Sequence, residues 1–222
     1  MRIIDLTRPI YAGMPVYPGD RGVTLDLVSS FEDREYQTTE LRFGSHTGTH
    51  VDAPRHFFKG RPSLMELPLE TFVGEAVCVS AVTYFAGGEE HPVIDLPDSE
   101  KCKIREGDRV IISTDWEKKS GKDAFYQQYP IFAESLVTFL IDMKIRMLGV
   151  DLLTLEAVPS VGEPYTMHRM LLSRGIVLVE GLVNLFELTD SRFFFSAAPL
   201  LIENGDGSPV RAYAMVEDEC MP

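Results

Sequence analysis

Arg109-Val110-Ile111-Ile112-Ser113-Thr114, then an amphipathic stretch from Pro130 to Met143, then Arg146 to Val150, is the passage that decides the architecture. The first run is rich in β-branched residues and reads as a buried strand. The second has the spacing of a helix with proline at its start, and the third is a short strand. Strand, crossover helix and strand imply a parallel pair with a right-handed connection. Outward from this unit, Ile3 to Leu6, Val23 to Val28, Thr38 to Phe43 and Val73 to Val82 read as strands bounded by turn formers. Gly175 to Val179, Arg192 to Ile202 and Pro209 to Val216 are strands again, close enough in sequence to predict antiparallel pairing. The expected fold class is α/β, a mixed β-sheet with packed helices, in one domain over residues 1–222.

The chain has 222 residues and a formal net charge of −13. That charge argues against partners such as nucleic acid or an anionic membrane surface, which need a basic face. No long uncharged apolar run predicts a membrane span, and the first residues lack the pattern of a secretory signal. Cys78, Cys102 and Cys220 are odd in number and widely spaced, which reads as a reduced, cytoplasmic protein. Ala12 to Asp20 holds two prolines and two glycines and predicts an irregular loop of the kind that grips ligands. Phe193-Phe194-Phe195 reads as sheet core, and Asp115 with the charge-rich stretch 117–123 as solvated loop. His91 is expected at the surface without a role. Trp116 is open between interface, pocket rim and packing. The acidic tail from Glu217 to Glu219 is expected to fray.

Four of the five histidines fall in two clusters. His46-Thr47-Gly48-Thr49-His50-Val51-Asp52-Ala53-Pro54-Arg55-His56 packs three imidazoles and a carboxylate into one short segment. Imidazole and carboxylate together suit zinc and similar divalent ions. Thr, Gly and Thr between His46 and His50 are poor helix formers. A regular strand would hold those two histidines about 13 Å apart, too far for one ion. The expectation is a strand arriving through Leu41 to Ser45, a curled turn permitted by Gly48, and an exit stiffened by Pro54 that aims His56 back. In the second cluster, Met167 to Ser173 predicts a short helix stopped by Gly175, and Ile176 to Val179 a returning strand. That return can carry Glu180 to the level of His168 and close the site.

These residues carry a resemblance. His46-x-Gly48-Thr49-His50-x-Asp52-x-Pro54-x-His56-Phe57 resembles the signature of the cyclase-like metal-dependent hydrolases, a family that includes bacterial kynurenine formamidase and isatin hydrolase. Ile4-Asp5-Leu6-Thr7 with Met14 to Asp20, Leu67 to Glu70 with Val73-Gly74, and Val179-Glu180-Gly181-Leu182 are similar to further family segments. So is Gly205-Asp206-Gly207-Ser208-Pro209-Val210-Arg211, while Gly149 to Glu156 follows the family pattern only loosely. The resemblance implies a swivelling β/β/α fold and a homo-oligomer, most often built on a dimer. It implies one or two divalent metal ions, zinc or manganese, and hydrolysis of a C–N amide bond in a small molecule. By position, His46, His50, Asp52, His168 and Glu180 would be metal ligands, with Asp52 able to bridge two ions, and His56 would transfer protons. Tyr17 stands where kynurenine formamidase-like members often carry Trp, and is expected to shape the substrate pocket. Asp151 is a candidate supporting residue.

The chemistry agrees with that implication. Amide hydrolysis near neutral pH needs a metal-activated water, and the amine that leaves needs a proton. An imidazole such as His56 can take and give that proton. Glu180 or Asp52 is the competing base, weakened if it ligates. Alternatives are a lactone or carbamate hydrolase using the same site, or a non-catalytic metal-stabilised binding protein. A closed structural site needs no spare histidine, so His56 favours catalysis.

Overall fold

The computed structural model describes residues 1–85, 91–119, 129–156, 165–188 and 192–217. In chain order the strands are β1 (Arg2–Asp5), β2 (Thr24–Ser29), β3 (Thr38–Arg42), β4 (His50–Asp52), β5 (Val73–Ser80), β6 (Val82–Tyr84) and β7 (Val93–Asp95). They continue with β8 (Arg109–Ser113), β9 (Ile131–Phe132), β10 (Met147–Val150), β11 (Val177–Glu180), β12 (Arg192–Ser196), β13 (Gly207–Pro209) and β14 (Tyr213–Val216). Among the described residues, nine strands form one sheet in the order β1-β14-β12-β5-β8-β10-β11-β4-β13. β5, β8, β10 and β11 run parallel, and the flanking pairs are antiparallel.

The parallel strands are apolar throughout because both of their faces are covered. Val110, Ile112, Leu148, Val150 and Leu178 pack into one core with Leu136 and Leu140 of the helix Glu134–Asp142 and with Leu171 and Leu172 of the helix Thr166–Ser173. Ile111, Met147, Val177 and Val179 alternate onto the opposite face and build a second core. That second core also joins Ile4 of β1 to Val51 of β4, which stand near opposite ends of the sheet, so the sheet curls around it.

Several sequence expectations are corrected. The helix predicted from Pro130 begins only at Glu134, because Ile131 and Phe132 are drawn out as β9 beside β7. Their N–H groups bond to Pro92 and Leu155 carbonyls at 2.9 Å each. β11 pairs in parallel with β10 rather than with the strands that follow it, since the helix Thr166–Ser173 makes a second crossover. Arg192 to Ile202 is strand only as far as Ser196, and Pro209 to Val216 divides into β13 and β14 on distant parts of the sheet. β3 ends at Arg42, so residues 43–49 approach β4 as a turn rather than a strand. Of the three phenylalanines, Phe193 and Phe195 are core and Phe194 is 40% exposed, as alternation requires. His91 is half-buried, with Nδ1 2.9 Å from the Tyr129 carbonyl oxygen, and Trp116 packs in the first core. Glu117 is no solvated charge, because its carboxylate accepts the N–H groups of Asn184 and Leu185. The fraying expected at Glu217 to Glu219 and the role of Asp123 lie largely outside the described residues. Among the described residues no helix is long and apolar enough to cross a membrane.

β10 runs into Asp151, which is 0% exposed. Its Oδ1 accepts the Thr114 N–H at 3.1 Å and the Thr114 hydroxyl at 2.7 Å, while Oδ2 has no hydrogen-bond partner. Burial pushes this carboxyl up from 3.8 to about 6, against the opposing pull of the Thr114 bonds. Its hydrogen bonds run to Thr114 and the Glu117 backbone. The folded protein therefore keeps a proton that the unfolded chain releases near 3.8, and stability falls as pH rises from there to about 6. Asp151→Asn keeps the Oδ1 acceptor and carries no charge to bury. It should gain stability over the native chain through that window, levelling off at about 2–3 kcal/mol at higher pH. Urea denaturation at about pH 4.5 and about pH 7.5 measures the gap. Equal gaps at the two values would reject this account.

Candidate metal centre

Alternation along β4 turns His50 and Asp52 to one face and Val51 to the second core. The register with β11 sets Glu180 opposite His50, and the register with β13 sets Gly207 opposite Asp52. The turn leading into β4 depends on Gly48, at φ +66°. Gly181 follows Glu180 and packs so tightly on this turn that a Cβ there would stand 2.7 Å from the Gly48 carbonyl oxygen. Thr49 stitches the same corner, donating its hydroxyl to the Gly181 carbonyl at 2.7 Å. The two histidine clusters are thus joined through backbone contacts, before any ligand is considered.

The side chains converge. His46 Nδ1 lies 2.7 Å from Asp52 Oδ1, and His50 Nε2 lies 3.3 Å from the same oxygen and 3.6 Å from Glu180 Oε2. His168 Nε2 is 3.3 Å from Glu180 Oε1. All five residues proposed as ligands from the sequence therefore meet in one cluster. Each imidazole also has its second nitrogen occupied. His46 Nε2 is 2.9 Å from Asp206 Oδ2, His50 Nδ1 donates to the Gly48 carbonyl at 3.0 Å, and His168 Nδ1 is 2.7 Å from Glu156 Oε1. Metal-ligating histidines are ordinarily held in this way, because the outer bond fixes tautomer and ring orientation.

The electrostatics invite a cation. The Asp52 and Glu180 side chains are only 1% and 5% exposed. Glu180 Oε1 is buried without a well-aligned hydrogen bond, its nearest charge being His168 Nε2 at 3.3 Å, and a divalent ion between the carboxylates and imidazoles would complete its environment. His50, Asp52 and Glu180 offer ligand atoms within 4.8 Å of one another, and so do His46, Asp52 and His56. This donor set of nitrogen and oxygen fits a divalent first-row ion. Burial disfavours an imidazolium at His46, yet the hydrogen bonds it donates to Asp206 and Asp52 outweigh it and hold the ring up to about 10. His168 is likewise held up to about 10 by Glu156 and Glu180 against its burial. Asp52 is pulled well below the usual carboxylate range by His46 and His50, although burial works the other way.

His56 ends the short turn Pro54–His56 and is 30% exposed, facing a cavity of about 1170 Å3 that His46, His50 and His168 also line. Its ring stacks on His46 with centroids 3.9 Å apart. The cavity has an aromatic wall. Tyr17, from the irregular loop, meets Tyr165 hydroxyl to hydroxyl at 2.8 Å, and Phe57 lies 5.3 Å from both Tyr165 and His168 by ring centroids. Burial, then the Tyr165 hydroxyl, raise the Tyr17 phenol well above its ordinary value.

Two carboxylates at this centre have no assigned part in the sequence reading. Glu156 caps the His168 helix by accepting the N–H groups of Met167 and His168 at 3.2 and 3.0 Å, besides holding the imidazole. Asp206 lies between two glycines in a segment recognised as family-like, and a charged residue in so small a turn was the available signal.

Comparison with known proteins places these observations. The Cyclase family model ("Putative cyclase") matches residues 4–157. The kynurenine formamidase of Salinibacter ruber is 32% identical over 216 residues, 96% of each chain. Isatin hydrolase A from Labrenzia aggregata shares the fold at a TM-score of 0.82 and 29% identity, over 97% of this chain and 93% of that one. A structure described as a potential metal-dependent hydrolase with cyclase activity matches at a TM-score of 0.74 and 28% identity, covering 96% of both chains. The expected α/β, swivelling β/β/α class agrees with these neighbours. By sequence and by fold, the chain belongs to the Cyclase family.

Proposed function

We propose that this protein is a metal-dependent hydrolase that cleaves the C–N amide bond of a small formamide or cyclic amide, with kynurenine formamidase-like activity as the sharpest form. The observation that carries this reading is the buried cluster of three imidazoles around Asp52 and Glu180, opening onto a cavity rimmed by a further, solvent-reaching histidine. His46, His50, Asp52, His168 and Glu180 would hold one or two divalent ions, zinc first and manganese second. Such an ion supplies Lewis acidity, making water a competent nucleophile near neutral pH and polarising the amide carbonyl.

The chain's own residues do the rest. His56 takes the proton released as water adds to the carbonyl carbon, and returns it to the nitrogen as the C–N bond breaks. Acid and amine leave, and atoms and charge balance without another reactant. Tyr17, with Tyr165 and Phe57, packs against a flat substrate and excludes water on that side. A homo-oligomer, dimeric or dimer-based, and a cytoplasmic location complete the proposal.

Elemental analysis followed by assay tests it. N-formyl aromatic amines, isatin-like lactams and simple lactones should be screened before and after chelation. Amide hydrolysis should vanish on chelation and return with zinc or manganese. His56→Ala should keep its metal and lose about 10²–10⁴-fold in kcat. A protein that keeps metal but hydrolyses no amide, or an active His56→Ala variant, defeats the assignment.

Metal uptake offers a separate check. His46 and His168 are each held protonated up to about 10 without an ion, so both carry protons at neutral pH. Ligation must displace them, and affinity should rise with pH. Zinc titration calorimetry at pH 7 in buffers of different ionisation enthalpy should give a release of about one to two protons. A heat independent of the buffer contradicts it.

A further inference from the structure

Asp206 reaches both a ligand-type histidine of the centre and the histidine at its rim. Its Oδ2 is 2.9 Å from His46 Nε2 and 3.5 Å from His56 Nδ1, while Oδ1 accepts the Ser45 hydroxyl at 3.2 Å. The backbone around it is locked. The Asp206 carbonyl accepts the Ala53 N–H at 2.9 Å, and the Gly205 carbonyl accepts the Leu64 N–H at 2.9 Å. The carbonyl of the same Ala53 receives the His56 N–H at 2.9 Å, so Asp206 and His56 are hung from one residue of the signature. Gly207 completes the fit. A Cβ there would stand 2.5 Å from His46 Cε1, so the His46 ring lies directly on the glycine.

The chemistry follows from which nitrogen each ring gives up. A carboxylate oxygen accepts and cannot donate when ionised, so each ring nitrogen that bonds to Asp206 must carry the hydrogen. His46 Nδ1 bonds Asp52 by the same rule, so without an ion the ring carries both hydrogens, and a ligand at Nδ1 leaves Nε2–H on Asp206 as the tautomer. His56 Nδ1 stands 3.5 Å from the same Asp206 oxygen, a longer contact, and an Nδ1–H turned to it leaves Nε2 as the basic nitrogen. One oxygen has lone pairs enough for both bonds.

We propose that Asp206 is a positioning residue which sets the tautomer of His46 and His56 together, so that one faces the metal centre and the other is ready to move the amide's protons. This rests on the hydrolase reading, and it adds to it a coupling between metal retention and proton transfer. It differs from the contact between Glu156 and His168, which serves one ring only. No step passes through Asp206 itself, and it exchanges no proton with substrate.

The test compares the native chain with Asp206→Ala, Asp206→Asn and Asp206→Glu, each checked for folding by circular dichroism. Half of the Asp206 side chain is exposed, at 45%, and its backbone bonds do not depend on the carboxylate, so the variants should fold. The Ala and Asn variants should bind zinc at least about 10-fold more weakly. At saturating zinc they should still lose about 100-fold in kcat, with KM changed by less than about threefold. Asp206→Glu should recover part of both losses. Long-range proton–nitrogen NMR of the imidazoles gives the reading that a merely structural role would not move. His56 should be the Nδ1–H tautomer in the native chain and a mixture in Asp206→Ala. Unchanged His56 tautomer, or native zinc affinity and kcat in both variants, overturns the proposal. The tautomer reading needs neither metal nor substrate. A native chain that takes up no metal would therefore defeat the hydrolase reading while still deciding whether Asp206 orients His56.

Discussion

Two buried carboxylates held a cross-strand distance apart are the constraint on which the rest of this molecule turns. Asp52 and Glu180 come from adjacent antiparallel strands and point to the same face. Ionised groups in such a place need opposite charge close by, because the solvation they lose is worth several kcal/mol each. Without an ion the three imidazoles provide it, and Asp206 at His46 and Glu156 at His168 join Asp52 and Glu180 in holding those two rings protonated far above the ordinary range. A divalent ion would take over the same task and let the imidazoles become neutral donors. Protonated or metal-loaded, the cluster stays near charge balance, and the fold around it need not change.

That balance depends on register. β4 is only three residues long, and it is gripped by β11 on one side and β13 on the other. A slip of one residue in either pairing would turn His50 and Asp52 into the second core and bring Val51 to the polar face. The backbone supplies the protection against such a slip. Val210 donates to the Thr49 carbonyl at 3.0 Å just before the strand, and Ala53 donates to the Asp206 carbonyl at 2.9 Å just after it. Gly181 and Gly207 allow the neighbouring chains to approach the histidine segment more closely than any side chain would permit. The glycines and the histidines of the signature are therefore parts of one packing solution.

What could be read in advance follows from how local each signal is. The parallel pair β8 and β10 was legible because strands covered on both faces are continuously apolar, and Val110, Ile111 and Ile112 show that without any partner being known. The first half of the candidate cluster was legible because three histidines and an aspartate lie within eleven consecutive residues. Asp206 and Glu156 were harder. Each meets its histidine only after long-range strand pairing, across 160 and 12 positions of chain respectively, and a lone acid in a turn usually faces water. The split of Pro209 to Val216 was invisible for the same reason. Its residues are uniformly strand-like, and only the curl of the sheet sends β13 to one edge and β14 towards the other.

The centre also divides its work between rigid and variable parts of the fold. His50, Asp52, Glu180 and His168 come from β4, β11 and the helix Thr166–Ser173, locked by core packing on the far side, and His46 comes from the turn before β4. The aromatic wall of the cavity comes from a loop and from element ends: the proline-rich loop carries Tyr17, Phe57 follows the turn Pro54–His56, and Tyr165 caps the helix that bears His168. Tyr17 and Tyr165 meet hydroxyl to hydroxyl at 2.8 Å, and the Tyr165 ring also faces Phe57 and His168. On the proposed reaction, the strands determine that water attacks an acyl carbon, whereas the loops determine which acyl compound lies there. Loops change with little cost to a scaffold, and catalytic strands do not. On that proposal the same centre serves different small amides as the loops change, and the Tyr17–Tyr165 pair sets the preference of this chain.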